Sequence, residues 1–193
     1  MDFKPLIIDD GKASYWPDFI RPILAEKYLA QLLTELNWRQ ETIRLFGRTH
    51  LCPRLIAWYG DAGLSYAYSG IKHQSFGWSP TLLEIKAQLE TKLQMHFNGV
   101  LANYYRNGKD SMGWHSDAER GLSPTIASIS LGQTRRFLFK HRQSKCLQEV
   151  KLESGSLLLM QDELQKHWLH CLPKQTKATQ ARVNLTFRQL ELS

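Results

Sequence analysis

Six short runs rich in β-branched, aromatic and leucine residues follow one another from residue 97 onward: FNGVLANYY, TIASISL, RRFLFKH, SLLLM, HWLHCL and RVNLTFRQL. Runs of this length and composition read as strands. Their spacing predicts an antiparallel sandwich or barrel. The chain ahead of them has a different texture. In RPILAEKYLAQLLTELNW, Leu29, Leu32, Leu33 and Leu36 fall on one helical stripe. In SPTLLEIKAQLETKLQM, Ser79 can cap a helix, Pro80 suits its first turn, and Leu82, Leu89 and Leu93 lie near one face. Between these two helices, YGDAGLSYAYSG is rich in Gly, Tyr and small polar residues, a composition suited to turns and surface loops.

With 193 residues and no repeat or low-complexity tract, the chain is expected to form one domain with a substantial core. Its net charge of +7 favours polyanionic partners such as nucleic acid. The opening MDFKPLIIDDGK is acidic and lacks a long apolar core, and no run approaches the ~20 apolar residues of a membrane span. An intracellular protein, cytoplasmic or nuclear, is expected, with no membrane partner and acting as a monomer. Cys52, Cys146 and Cys171 are odd in number and widely spaced, which suits reduced thiols rather than a metal site.

Chemistry first shows in GWHSDAERG, where His115 and Asp117 stand two residues apart. On extended backbone, side chains at i and i+2 share a face, so the pair can grip one ion. Two ligands are too few, and an isolated pair of this kind also suits a hydrogen-bonded surface. HWLHCLP supplies two further histidines, His167 and His170, and two histidines with one carboxylate make the facial triad of non-haem iron(II) oxygenases. In RVNLTFR, strand alternation puts Arg182, Asn184, Thr186 and Arg188 on one face and Val183, Leu185 and Phe187 on the other. On an edge strand both arginines would sit in water. Facing inward they would need anionic partners, because unpaired buried charge is costly. A small dicarboxylate would serve both, through the planar fork of each guanidinium.

The ordered elements NYY, GWHSD, ISLG, GSLLLM, HWLHCLP and RVNLTFR, with LFG and YGDAGLSYAYSG upstream, resemble the AlkB-type Fe(II)- and 2-oxoglutarate-dependent dioxygenases, which demethylate alkylated nucleic-acid bases. The resemblance covers most of the chain, and LFG and YGDAG are most similar to the branch that repairs double-stranded DNA. It implies an α+β, mainly β fold in a single domain over 1–193. A double-stranded β-helix, or jelly roll, would occupy 97–193, preceded over 1–96 by N-terminal helices and a nucleotide-recognition lid. It implies Fe(II) held by His115, Asp117 and His170, the histidine that precedes the final Leu-Pro by two residues, with His167 the competitor. On an extended strand His167 would face away from the metal. The resemblance also implies 2-oxoglutarate and O₂ as co-substrates, with Asn103, Tyr105, Arg182 and Arg188 holding the keto acid and Asn184 in support. Arg182 would pair with the far carboxylate and Arg188 with the metal-side one, although the sequence does not fix which arginine serves which carboxylate. Tyr104, on the opposite strand face, reads as core.

For the substrate, the resemblance implies oxidative removal of methyl groups from 1-methyladenine- or 3-methylcytosine-like lesions in DNA, releasing formaldehyde and succinate. A base in a duplex must leave the stack to be reached, so single strands or flipped bases are the substrates. Tyr68 would stack on the base, Tyr66 would offer its hydroxyl, and Glu119 would face the positive charge of the lesion, where the family more often has aspartate. Phe46, between Leu45 and Gly47, matches the aromatic finger that fills the gap left by the flipped base. The run RRFLFKHRQSK could follow a phosphate backbone. By contrast, LPKQTKATQAR carries only Lys174 and Lys177 in a loop that is more basic in the duplex-repair branch. RNA or protein demethylation by the same chemistry, and non-catalytic binding of damaged DNA, are the alternatives.

Overall fold

Strand alternation runs through most of the chain. The computed structural model describes residues 4–45, 48–68, 71–74, 76–118 and 122–190. In chain order they form β1 (Lys4–Ile7), β2 (Lys12–Trp16), α1 (Pro22–Glu35), β3 (Thr42–Leu45), β4 (Arg48–Leu51), β5 (Leu55–Gly60), β6 (Ser65–Tyr68) and β7 (Ile71–Gln74). There follow α2 (Pro80–Leu93), β8 (Gly99–Tyr105), β9 (Met112–His115), β10 (Leu122–Gly132), β11 (Arg135–His141) and β12 (Leu147–Leu152). The chain continues with β13 (Leu157–Gln161), α3 (Leu164–His167), β14 (Trp168–Leu172) and β15 (Arg182–Leu190).

Seven strands make the larger sheet in the order β1-β2-β13-β10-β15-β8-β5, and four make a smaller one, β12-β11-β14-β9. Every pairing within these sheets is antiparallel. The architecture is the jelly roll expected from the sequence. Two hairpins, β3-β4 and β6-β7, stand apart from both sheets.

Helices cover one face of the larger sheet. Tyr28 and Leu32 of α1 and Leu82, Ile85 and Leu89 of α2 pack with Val100, Ala127, Ile129, Val183, Leu185 and Phe187 in one buried cluster. Each large side chain of this set contributes about 1.5–3 kcal/mol of burial. Helix α1 begins with Pro22 in its first turn and stops where Leu36 turns extended. In α2 the Ser79 hydroxyl accepts from the Leu82 amide at 3.3 Å, and Gln94 closes the helix in a left-handed conformation. The opposite face of the sheet looks toward the smaller sheet. There Ile126, Leu158 and Met160 pack with Phe139 and Trp168. Strand β15 is therefore covered on both sides, and all seven residues from Arg182 to Arg188 are buried.

The first half of the chain is more strand-rich than its sequence suggested. β1, β2 and β5 join the larger sheet, and part of YGDAGLSYAYSG forms β6 rather than loop. His167 also differs from expectation. It ends the short helix α3, so the opposite-face argument made for an extended strand does not describe it. Among the described residues, no helix is long and apolar enough to cross a membrane.

Candidate active site

Pairing of β9 with β14 sets His115 directly opposite His170. Their rings meet edge to face at 4.3 Å between centroids. Asp117 lies just past the end of β9, with its carboxylate oxygens 3.9 Å from His115 Nε2 and 3.6 Å from His170 Nε2. One ligand atom from each of the three lies within 4.8 Å of the others, a group able to hold a metal ion. The Gly113 carbonyl lies 2.8 Å from His115 Nδ1. With Nδ1–H donating there, Nε2 is left with its lone pair toward the centre, the arrangement typical of a ligand histidine.

The electrostatics suit a cation. Burial, with His170 adding to it, pushes the His115 imidazole down to about 4, against the opposing pull of Asp117 and the Gly113 carbonyl. Burial alone would raise the Asp117 carboxyl. The Arg188 guanidinium and the two imidazoles outweigh it and hold the group well below the usual carboxylate range. Arg188 reaches Asp117 directly, Nη2 to Oδ1 at 2.9 Å.

The polar face of β15 forms the wall behind this group. Asn103, Tyr105, Arg182, Asn184 and Arg188 line the same cavity as the His115, Asp117 and His170 side chains, and all five are buried. Antiparallel register places Tyr105 opposite Arg182 and Asn103 opposite Asn184. Asn184 Nδ2 donates to Ser128 Oγ at 2.7 Å and to the Ile129 carbonyl at 3.1 Å. Arg182 donates to Ser130 Oγ at 2.9 Å and lies 5.2 Å from the centre of the Tyr105 ring. Its Nε is buried and has no hydrogen-bond partner among the described residues. Burial lowers the Arg182 guanidinium to about 10, with Tyr105 opposing and Arg135 contributing. A buried arginine with a donor to spare is what a carboxylate ligand would satisfy.

Several neighbours were not read from the sequence. Gln165, nearly fully buried on α3, accepts from the Asp117 amide at 3.0 Å through Oε1. Phe137 stacks on His170 at 5.3 Å. Arg54, also buried, donates from Nε to Asn103 Oδ1 at 2.7 Å. None of the three sits in a spacing that announces it. The cations of the basic run serve different ends. Arg135 is buried and donates to the Asn107, Asp110 and Pro173 carbonyls, so it holds loops together. Arg136 pairs with Glu149 at 2.7 Å. Arg142 donates to Ser116 Oγ, between two members of the metal-competent group, at 2.8 Å. Tyr104, partly buried, packs against Trp38 at 5.5 Å and against the main core, on the side expected of it. Tyr66 and Tyr68 fall on β6, but their side chains, like Phe46 and Glu119, lie outside the described residues.

Residues 12–188 match the 2OG-Fe(II) oxygenase superfamily, whose name carries both the metal and the keto acid. The chain is 40% identical over 161 residues to human DNA oxidative demethylase ALKBH2, covering 78% of this chain and 62% of that protein. It is 39% identical over 184 residues to bovine alpha-ketoglutarate-dependent dioxygenase alkB homolog 3, covering 89% and 64%. It thus spans slightly under two thirds of the length of these two relatives. The solved structure of OsALKBH1 superposes with a TM-score of 0.65 at 14% identity, covering 96% of this chain and 99% of that one, and shares the fold. The chain belongs to the 2OG-Fe(II) oxygenase superfamily, within its AlkB family.

Proposed function

We propose that this chain is an Fe(II)- and 2-oxoglutarate-dependent dioxygenase that removes N-methyl groups from 1-methyladenine- and 3-methylcytosine-like lesions in DNA. His115, Asp117 and His170 hold the iron. Asn103, Tyr105, Arg182, Asn184 and Arg188 hold 2-oxoglutarate. The observation that carries this reading is the convergence of one carboxylate and two imidazoles within 4.8 Å, in a cavity whose wall presents two buried arginines. Two histidines and one carboxylate leave three coordination positions for small molecules, and two guanidinium forks match the two ends of a dicarboxylate.

With iron bound, 2-oxoglutarate and O₂ supply the oxidation: the keto acid becomes succinate and CO₂, the N-methyl carbon gains a hydroxyl, and formaldehyde then leaves the repaired nitrogen. The protein's contribution is positioning and exclusion. Asp117 stays ionised, so the metal always meets one anionic ligand. His115 stays neutral through the physiological range and keeps Nε2 free. The contact of Arg188 with Asp117 at 2.9 Å supports giving it the carboxylate nearer the metal. Arg182, six residues along the same strand face, suits the far one. Leu101, Met112, Phe137 and Leu172 line the remaining wall and limit water.

The DNA assignment draws on the likeness to a DNA oxidative demethylase, ALKBH2, and on the net charge of +7. Tyr66, Tyr68 and Glu119 would receive the flipped base, and Phe46 would fill its place in the duplex. The protein would work as an intracellular monomer. The test is formaldehyde release from methylated oligonucleotides, offered as single-stranded DNA, duplex DNA and RNA, with and without 2-oxoglutarate. Release from DNA that requires 2-oxoglutarate is expected. Release independent of it would overturn the chemistry, and release confined to RNA would overturn the substrate.

A further inference from the structure

A second group of metal-competent side chains lies apart from the first. Asp10 in the β1–β2 turn, His141 at the end of β11 and His167 at the end of α3 each bring one ligand atom within 4.8 Å of the others. We propose that these three residues form a second divalent-metal site, for a borderline transition ion of the zinc type, which fastens the β1–β2 turn to the smaller sheet.

The geometry at His141 carries the argument. Its side chain is 9% exposed, and Nε2 is 3.1 Å from Asp10 Oδ2. Yet that nitrogen is buried without a hydrogen-bond partner, so nitrogen and oxygen are close without being aimed at each other. Ligands bound at about 2.0–2.1 Å in a tetrahedral zinc site are themselves about 3.3 Å apart. A contact of this length that is no hydrogen bond suits two groups facing one ion. The His141 and His167 rings lie 6.3 Å apart and 13° from parallel.

All three segments are tied together without help from the ligand atoms. The Arg142 amide donates to the His167 carbonyl at 2.8 Å. Trp168 Nε1 donates to the Asp9 carbonyl at 3.2 Å. Gly11 presses the turn against α3 so closely that a Cβ there would meet Leu164 Cα at 2.5 Å. The site is therefore preformed. Outer partners also exist. Ser144 Oγ lies 2.9 Å from His141 Nδ1 and can accept its proton when Nε2 binds a metal, at the cost of the Ser144 amide contact at 3.1 Å. Glu163 Oε2 lies 3.5 Å from His167 Nε2. A cavity of about 390 Å³, lined by Asp10, His141 and Ser144 among others, gives solvent ligands access. Two imidazoles and one carboxylate favour zinc, nickel or copper over magnesium or calcium.

The test counts zinc. Full-length protein is stripped with chelator, dialysed against zinc chloride, and its metal content measured by mass spectrometry, using Asp117→Ala to disable the first group. That variant should retain one zinc ion per chain. Adding Asp10→Asn and His167→Gln should weaken zinc binding by at least about tenfold. Zinc should raise the melting temperature of Asp117→Ala and not that of the combined variant. Both second-site substitutions keep side-chain size and fall on partly exposed side chains, at 55% and 39%. If His167→Gln lowers the zinc-free melting temperature, Asp10→Asn alone carries the comparison. Absence of zinc from Asp117→Ala would overturn the proposal, as would zinc binding that ignores the second-site substitutions. Either would leave Asp10 and His141 as a polar contact without metal.

Discussion

Replacing Gln165 by leucine tests whether a buried amide outside the ligand group sets its geometry. Gln165 Oε1 accepts from the Asp117 amide at 3.0 Å, and its side chain lies within the protein. Leucine is apolar and of similar length, so the Asp117 amide loses its acceptor while the side chain still fills the space beside Met160. A partly buried donor left unmade costs about 1–3 kcal/mol. That cost falls on the one conformation that turns the carboxylate toward both imidazoles, so it should surface as weaker metal binding. The expected loss is about 10–100-fold, the range typical of partners that orient ligands. Gln165→Glu keeps an acceptor oxygen and should recover part of the loss. Calorimetric titration of metal-free protein with Fe(II) under anaerobic conditions, in the presence of 2-oxoglutarate, measures the affinity, and thermal melting checks the fold. A folded Gln165→Leu variant with wild-type iron affinity would refute the reasoning.

Asp117→Ala should abolish formaldehyde release and iron binding while leaving the fold intact, since it removes the only anion of the group; metal analysis and melting decide. Arg188→Lys should raise the apparent KM for 2-oxoglutarate by about tenfold or more, because an ammonium cannot reproduce a two-point fork; an unchanged KM would sink the assignment. Metal-free protein should lose stability as pH falls from about 6.5 to about 4, because the unfolded chain takes up a proton at His115 that the folded chain refuses until about 4. Urea midpoints across that window should flatten in His115→Asn. Gly108→Ala should cost about 2–3 kcal/mol in the same unfolding assay, since its Cβ would fall 1.7 Å from the Gln175 carbonyl oxygen and the backbone must shift. Phe46→Ala should lower activity on methylated duplex far more than on methylated single strands; equal losses would remove the finger reading.

What was legible in the sequence shares a cause. Period-2 alternation in RVNLTFR announces which side chains share a face, and the two arginines do line one cavity while Val183, Leu185 and Phe187 join the core. His115 and Asp117 were legible for the same reason. Their meeting with His170 was not a local matter. It depends on β9 pairing with β14 across more than fifty residues, and only the resemblance to a known family supplied it. Gln165 and Arg54 escaped because each acts through one atom on a partner distant in sequence, Asp117 and Asn103, and no spacing encodes that. β1, β2 and β5 escaped for another reason. Their fate as strands is decided by the partners they pair with, β1 on β2, β2 on β13 and β5 on β8.

The charges around Asp117 link the two halves of the site. Its Oδ1 is 2.9 Å from Arg188, and the same carboxylate stands within 4 Å of both imidazoles. A metal that claims Asp117 competes with Arg188 for it, and the guanidinium then faces a cation in a buried cavity unless another anion arrives. A dicarboxylate on the β15 face would compensate Arg188 and at the same time meet Arg182, whose Nε has no partner among the described residues. Metal and keto acid should therefore favour each other's binding, and because coupling of this kind is reciprocal, each should tighten the other by the same factor. The polar face of β15 is then more than a platform for one ligand. With a dicarboxylate bound as proposed, Arg188 would join it to Asp117 and couple the metal group and the keto-acid group electrostatically.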